Sequence, residues 1–165
     1  MDLFQAPRGE WRRVSPKLAT VRRIALIPLP AAVALLAGAG AVVASDAAGL
    51  RSALTGLAVL ALLVAAWIWR WSGRNARSWG YLEADDDLVV TGGVLFRRLV
   101  AVPYGRMQFV DVQAGPLDQR FGIASVTLHT ASTETAATIP GLPAAEAARL
   151  RDRLTEIGES HGAGL

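Results

Sequence analysis

Two uncharged apolar runs dominate the first half of the chain, and short alternating segments fill the second. Ile24–Ala44 is 21 residues long and Ser52–Trp69 is 18, neither with a charge. At about 1.5 Å of rise per residue, helices of those lengths reach roughly 27–31 Å, near the ~30 Å hydrocarbon core of a bilayer. Lipid supplies no hydrogen bonds, so each run must satisfy its backbone internally as a helix. The pattern predicts a transmembrane hairpin over residues 24–71, with spans at about 24–44 and 52–71 joined through Ser45–Arg51. Pro28 and Pro30 remove two backbone donors near the entry to the first span and predict a kink there. The small-residue run Ala37-Gly38-Ala39-Gly40-Ala41 lets another helix approach closely. The second span is its natural partner, and a homo-oligomer through Ala37–Ala41 is the alternative. No ionisable side chain falls inside either run, which argues against a pore or transport path.

From Gly80 onward, period-two patterning and turn residues take over. Tyr81–Ala84 and Leu88–Thr91 read as a hairpin around Asp85-Asp86-Asp87. Gly92-Gly93 turns the chain into a strand over Val94–Val102, which stops at Pro103. A strand follows at Gln108–Gln113, then a helical turn over Leu117–Phe121 closed by Gly122. Ile123–Thr130 and Thr135–Ile139 form a second hairpin around Ser132-Thr133. Pro140-Gly141-Leu142-Pro143 ends the strands and starts a helix from about Pro143 to Ile157. Ala147, Leu150, Leu154 and Ile157 make its apolar stripe, and Gly158 is the expected stop. Six or seven short antiparallel strands and one amphipathic helix define an α+β domain, a bent sheet or partly open barrel with the helix over its open end. The organisation expected is a basic segment at 1–23, the hairpin at 24–71, the α+β domain at 72–158 and a tail at 159–165.

Charge sharpens this division. Residues 1–78 hold ten Lys/Arg and three acids, whereas residues 79–165 hold seven Arg and eleven acids. The basic surplus therefore belongs to the membrane flanks, where it follows the positive-inside rule and places both termini in the cytoplasm. The acidic second half would repel a phosphate backbone, so nucleic acid is not an expected partner. Trp67, Trp69, Trp71 and Trp79 mark the cytoplasmic interface as an aromatic belt. Before the first span, Ser15-Pro16 is a plausible helix start. Trp11, Val14, Leu18 and Val21 recur at helical spacing, but Pro16 interrupts them, which favours a plain basic flank over an interfacial helix. Val42-Val43-Ala44 resembles a signal-peptide cleavage site, yet the preceding apolar run exceeds the usual 7–15 residues, so cleavage is not expected.

One family pattern is visible in the second half. The run Leu88-Val89-Val90-Thr91-Gly92-Gly93-Val94-Leu95-Phe96-Arg97-Arg98 is followed by Val102-Pro103-Tyr104-Gly105-Arg106-Met107-Gln108-Phe109-Val110-Asp111-Val112. With Gln113–Leu117, Phe121–Ala124 and Ile139–Leu142, these runs resemble the bacterial PH-like (pleckstrin-homology-like) domain family of small membrane-anchored proteins. The resemblance covers about Tyr81–Leu154 and the helical hairpin before it fits the family's layout. It implies a bent seven-stranded barrel capped by the C-terminal helix, and no enzymatic activity.

The candidate chemistry points the same way. There is no cysteine, which excludes disulfides, thiol nucleophiles and thiolate metal sites. His129 sits in an alternating strand and reads as a surface residue, and His161 has no histidine at ligand spacing. Asp85–Asp87 lacks the spaced ligands and glycine of a calcium loop and reads as an acidic turn. Ser125, Ser132 and Thr133 lack a recognisable base, and no glycine-rich phosphate loop occurs. No catalytic, cofactor or metal site is expected. Eukaryotic PH domains that bind phosphoinositides carry basic residues around the first hairpin loop, where this chain has three aspartates. Arg97 and Arg98, adjacent in a strand, should face opposite ways and not act as a clamp. Together with Arg106 and Arg120 they remain the candidate lipid or partner contacts. The expected function is a non-enzymatic membrane protein whose domain works by protein contact as a scaffold or accessory module. The alternative is a sensor of anionic lipid or a small ligand.

Overall fold

The computed structural model describes residues 10–44, 47–130 and 137–162. The expected turn at Ser132-Thr133 lies outside the described residues, as do Ser45 and Asp46. The chain forms two compact units, one of residues 19–73 and the other of residues up to 18 together with those from 74 onward.

The first unit is helical. Helix α1 (Lys17–Leu26) ends one residue before α2 (Pro28–Val43), and α3 spans Ala48–Ser78. The break at Ile27 is the expected kink, because Pro28 and Pro30 supply no N–H to the preceding turn. Two stretches, Lys17–Val43 and Ala48–Ser78, are long and apolar enough to cross a membrane. Their leucines face outward rather than into a protein core: Leu35 is 73% and Leu63 62% exposed. A soluble core helix would bury such side chains, whereas a lipid-facing helix has no reason to. Ala34, Ala37 and Ala41 are buried, and a Cβ on Gly40 would sit 3.2 Å from Leu54 Cδ1. The small-residue stripe thus brings α2 against α3. Arg23 donates to Trp69 O at 3.2 Å and lies 4.0 Å over the Trp69 ring, while Arg22 sits over Trp71. The basic start of the first span and the tryptophan-rich end of the second therefore share one end of the hairpin. Ser72 is fully buried, and its hydroxyl finds no partner among the described residues. Ser72→Ala is expected to stabilise the protein by about 1 kcal/mol, read as a higher midpoint in detergent-driven unfolding.

The second unit holds two antiparallel sheets. The first has the order β1-β2-β3-β4, from Arg12–Arg13, Gly80–Glu83, Asp87–Gly92 and Arg98–Pro103. The second has the order β5-β6-β7, from Met107–Gln113, Ile123–Thr130 and Ala137–Pro143. The α+β class stands, but the barrel expected from the family pattern does not close, since no ladder joins the two sheets among the described residues. Helix α4 (Pro116–Phe121) is closed by Gly122 at φ 66° where the sequence indicated, and Asp118 Oδ2, accepting from Gly115 N, caps its start. Helix α5 (Ala144–Gly162) packs over β5 and β6. Its Ala147, Leu150 and Leu154 are buried against a core that includes Leu88, Val102, Val126, Leu128 and Ile139.

Four departures from the sequence pattern have local causes. Residues 94–97 form a bend rather than the start of β4, because Gly93 takes φ 103° and turns the chain sharply. Arg97 is accordingly outside any strand. Strand β7 runs on through Pro140 to Pro143, with a register shift between Ala124 and Val126 of β6 absorbing the irregular residues. Helix α5 passes Gly158 without stopping, a cost of about 1 kcal/mol that a long helix tolerates.

The fourth departure concerns the segment before the first span. Arg12 and Arg13 pair antiparallel with Tyr81 and Gly80, adding a strand to the edge of the first sheet. Ser15 then caps α1 from its side chain, 3.3 Å from Lys17 N, and its own N–H donates to Gly141 O at 2.9 Å. Gly141, at φ 70°, lets Leu18 lie so close that a Cβ there would be 2.7 Å from Leu18 Cβ. Val14 and Leu18 are buried. The basic flank is thus a built part of the α+β unit.

Candidate functional site

Two constructions stand out in the α+β unit: an ionic hub between β1, β2 and α5, and an arginine-lined cleft where α3 meets the β3–β4 bend. In the hub, Glu83 and Glu146 face four cations or donors. Arg149 bridges both carboxylates, at 2.5 Å from Glu83 and 2.8 Å from Glu146. Arg12 reaches Glu146 at 2.8 Å, Arg153 reaches Glu83 at 3.2 Å, and the Tyr81 hydroxyl donates to Glu146. The Arg149 hydrogen bond, helped by Tyr81 and Arg12 against the opposing effect of burial, holds the Glu146 carboxyl down at about 2. Burial first, and then the Glu146 carboxylate, push the Tyr81 phenol up to about 12. The two carboxylates are satisfied within the hub, which makes it a structural clasp, and its Arg12, Glu83 and Arg153 also border an open groove of about 290 Å³. It fastens the N-terminal strand to the terminal helix.

The cleft is different in kind. The end of α3 is anchored to the sheet by Ser78, whose hydroxyl accepts from Gly93 N at 3.2 Å. Trp79 packs so tightly on Gly92 that a Cβ there would fall 2.5 Å from its ring, and its Nε1 donates to Asn75 Oδ1. Gly93 then reverses the chain at a point where a Cβ would overlap Phe96 O. The consequence is a bend that pushes Leu95 and Phe96 into the open, 79% and 90% exposed. Beneath it lies an open cleft of about 450 Å³ lined by Arg74, Arg77, Ser78, Thr91, Gly93 and Arg97. Among the described residues, none of the three arginines has an acidic partner.

Of the residues singled out in the sequence, Arg97 lines this cleft. Arg98 opens β4 and borders a separate pocket of about 120 Å³ with Trp79 and Val100. Arg106, on the short helical turn Tyr104–Arg106, and Arg120, on α4, are exposed and the structure does not gather them with the others. Trp67 and Trp71 stack at 6.2 Å on α3 with Trp69 exposed beside them, while Trp79 serves the joint with the sheet. The sequence pattern did not flag Arg74 and Arg77 as site residues, because they read as a topogenic flank. His129 stacks on Phe109 across the β5–β6 ladder at 4.2 Å, a surface cross-strand pair. Asp85 and Asp86 form the β2–β3 turn and Asp87 opens β3, with Asp86 O accepting from Tyr104 N. No group of three or more possible metal ligands occurs among the described residues.

A pair of long lipid-facing helices joined to two small antiparallel sheets and a packing helix defines a membrane-anchored PH-like protein. The sequence model of the bacterial PH domain family matches residues 24–157, and the chain belongs to that family. A stretch of 79 residues is 34% identical to UPF0699 transmembrane protein YdbS of Bacillus subtilis (strain 168). The match spans 48% of this chain and 48% of that relative, so the chain aligns with about half the length of the curated protein. No solved structure gives a significant match.

Proposed function

We propose that this transmembrane protein presents its PH-like domain to the cytoplasm and works, without enzymatic activity, by protein contact as a scaffold or accessory subunit of an envelope-associated assembly. The observation that carries this reading is the edge of the second sheet. Among the described residues, strand β5 is an unpaired edge strand of seven residues, bordered on one side by α5. Between them runs a groove of about 430 Å³ lined by Met107, Phe109, Leu154 and Gly158, with Phe109 56% exposed. Gln108 and Thr155 line it too, and an unpaired edge beside such a partly apolar groove is the geometry that receives an added strand from another protein.

The multi-pass arrangement with both termini in the cytoplasm is supported independently. Strand β1 precedes the first span and its partner β2 follows the second, so residues before and after the hairpin belong to one folded sheet. An even number of crossings is needed to keep them on one side. Cleavage after Ala44 would remove that strand, which argues that the first span is retained. Lys/Arg residues at the same ends favour the cytoplasmic side.

A photo-crosslinking residue at Gln108, in the full chain in native membranes, tests the groove. Discrete protein adducts are expected, falling roughly 10-fold with Phe109→Asp in the same chain. Adducts to lipid alone, or protein adducts indifferent to Phe109→Asp, would refute contact through this face.

A further inference from the structure

We infer that the cleft under the β3–β4 bend binds the phosphate of an anionic phospholipid from the bilayer that the chain itself spans. Three features converge on it. First, Arg74, Arg77 and Arg97 bring three guanidiniums to one open cleft with no carboxylate among the described residues to neutralise them. The domain is otherwise acid-rich and its other arginines near the clasp are paired, so this concentration of free positive charge stands apart. Guanidinium forks match phosphate oxygens in geometry as well as charge.

Second, the bend that supplies Gly93, Val94 and Arg97 to the cleft also carries two of the most exposed large apolar side chains in the α+β unit, Leu95 and Phe96. Exposed apolar groups beside cations satisfy both halves of a lipid, acyl chain and headgroup. A soluble phosphometabolite would use the arginines and leave Leu95 and Phe96 without purpose. Their exposure is not slack in a loop, because Gly93 and the Ser78–Gly93 hydrogen bond impose the bend.

Third, depth is right. Arg74 and Arg77 lie on the helix that carries Trp67–Trp71, less than two turns beyond Trp71. At about 1.5 Å per residue Arg74 sits roughly 5 Å past it, within the polar layer about 5–7 Å thick on each side of the hydrocarbon core. Arg77 sits roughly 9 Å past it, at that layer's outer edge, with a side chain long enough to reach back. The aspartate turn at residues 85–87 takes no part, so the site is distinct from the first hairpin loop of lipid-binding PH domains.

The chain has no cysteine, so Leu95→Cys provides a single attachment point for an environment-sensitive nitrobenzoxadiazole label. The full-length protein would be placed in nanodiscs of phosphatidylcholine alone or with increasing phosphatidylglycerol. A saturable blue shift is expected with phosphatidylglycerol and none in phosphatidylcholine alone. The combined Arg74→Gln, Arg77→Gln, Arg97→Gln variant should lose that shift, while Arg106→Gln with Arg120→Gln, which removes charge elsewhere, should keep it. Added glycerol 3-phosphate should not compete. Emission indifferent to phosphatidylglycerol, a shift that survives the triple substitution, or one lost equally in the control pair would overturn the proposal. Competition by glycerol 3-phosphate would replace a lipid with a small soluble anion and overturn it as well. The readout depends on the cleft alone, so its failure leaves the β5 groove untouched.

Discussion

Glu146→Gln is expected to cost the α+β domain about 2 kcal/mol at neutral pH and to remove most of its loss of stability between pH 4.5 and 2. The substitution keeps the side chain's shape and its capacity to accept from Tyr81, but removes the charge that Arg149 and Arg12 surround. The full displacement of the carboxyl, from 4.5 to about 2, would correspond to roughly 3 kcal/mol. Glu146 is 25% exposed and Arg12 48%, so solvent screening brings the figure down. The direction follows from linkage. The folded-state pKa is depressed, so the carboxylate's contribution is complete above the unfolded value and fades as pH falls toward the folded one. Thermal unfolding of the detergent-solubilised protein, followed by near-ultraviolet dichroism, should show the variant about 8–16 °C lower at neutral pH and converging with the parent near pH 2. Because Glu146 holds Arg12, the variant should also expose the amides of β1 and β2 to faster hydrogen exchange. Equal stability at neutral pH would mean that Glu83 alone holds the clasp.

The dependence of this clasp on a distant segment explains what sequence patterning could and could not reach. The spans were legible because bilayer thickness imposes a length on any uncharged run, and the kink because proline lacks a donor. The turn at Asp85–Asp87, the capped helix at Pro116–Phe121 and the α5 stripe were legible because each depends on neighbours within a few residues. Strand β1 was not. It is two arginines long, shows no alternation, and is a strand only because Gly80 and Tyr81 lie opposite it after the hairpin returns. The cleft was half legible. Arg97 is visible as a surface cation, but Val94–Val102 reads as one strand between Gly92-Gly93 and Pro103, and nothing local announces that Gly93 turns Leu95 and Phe96 outward. Arg74 and Arg77 were absorbed by the positive-inside rule, which explains their charge without asking what lies across from them.

Gly93 is therefore where the largest loss is expected. Gly93→Ala places a Cβ 1.9 Å from Phe96 O, a backbone atom that no rotamer change can move aside. The residue's φ of 103° is itself outside the range an L side chain readily adopts. Backbone strain of this kind costs of order 1–3 kcal/mol, and the overlap forces the bend to rebuild, so about 3 kcal/mol is expected. For a domain of this size that lowers the melting temperature by roughly 12–24 °C. Gly105→Ala is the matched control, since a Cβ there meets nothing within 4 Å and the residue has no positive φ. It should be close to neutral. The rebuilt bend would also lose the Ser78–Gly93 hydrogen bond and with it the walls of the cleft. Gly93→Ala should then abolish the phosphatidylglycerol response of a label at residue 95 at temperatures where the protein remains folded, while Gly105→Ala leaves it intact. A Gly93→Ala protein with parental stability would show that the bend tolerates another conformation, and the exposure of Leu95 and Phe96 would no longer be imposed by the fold.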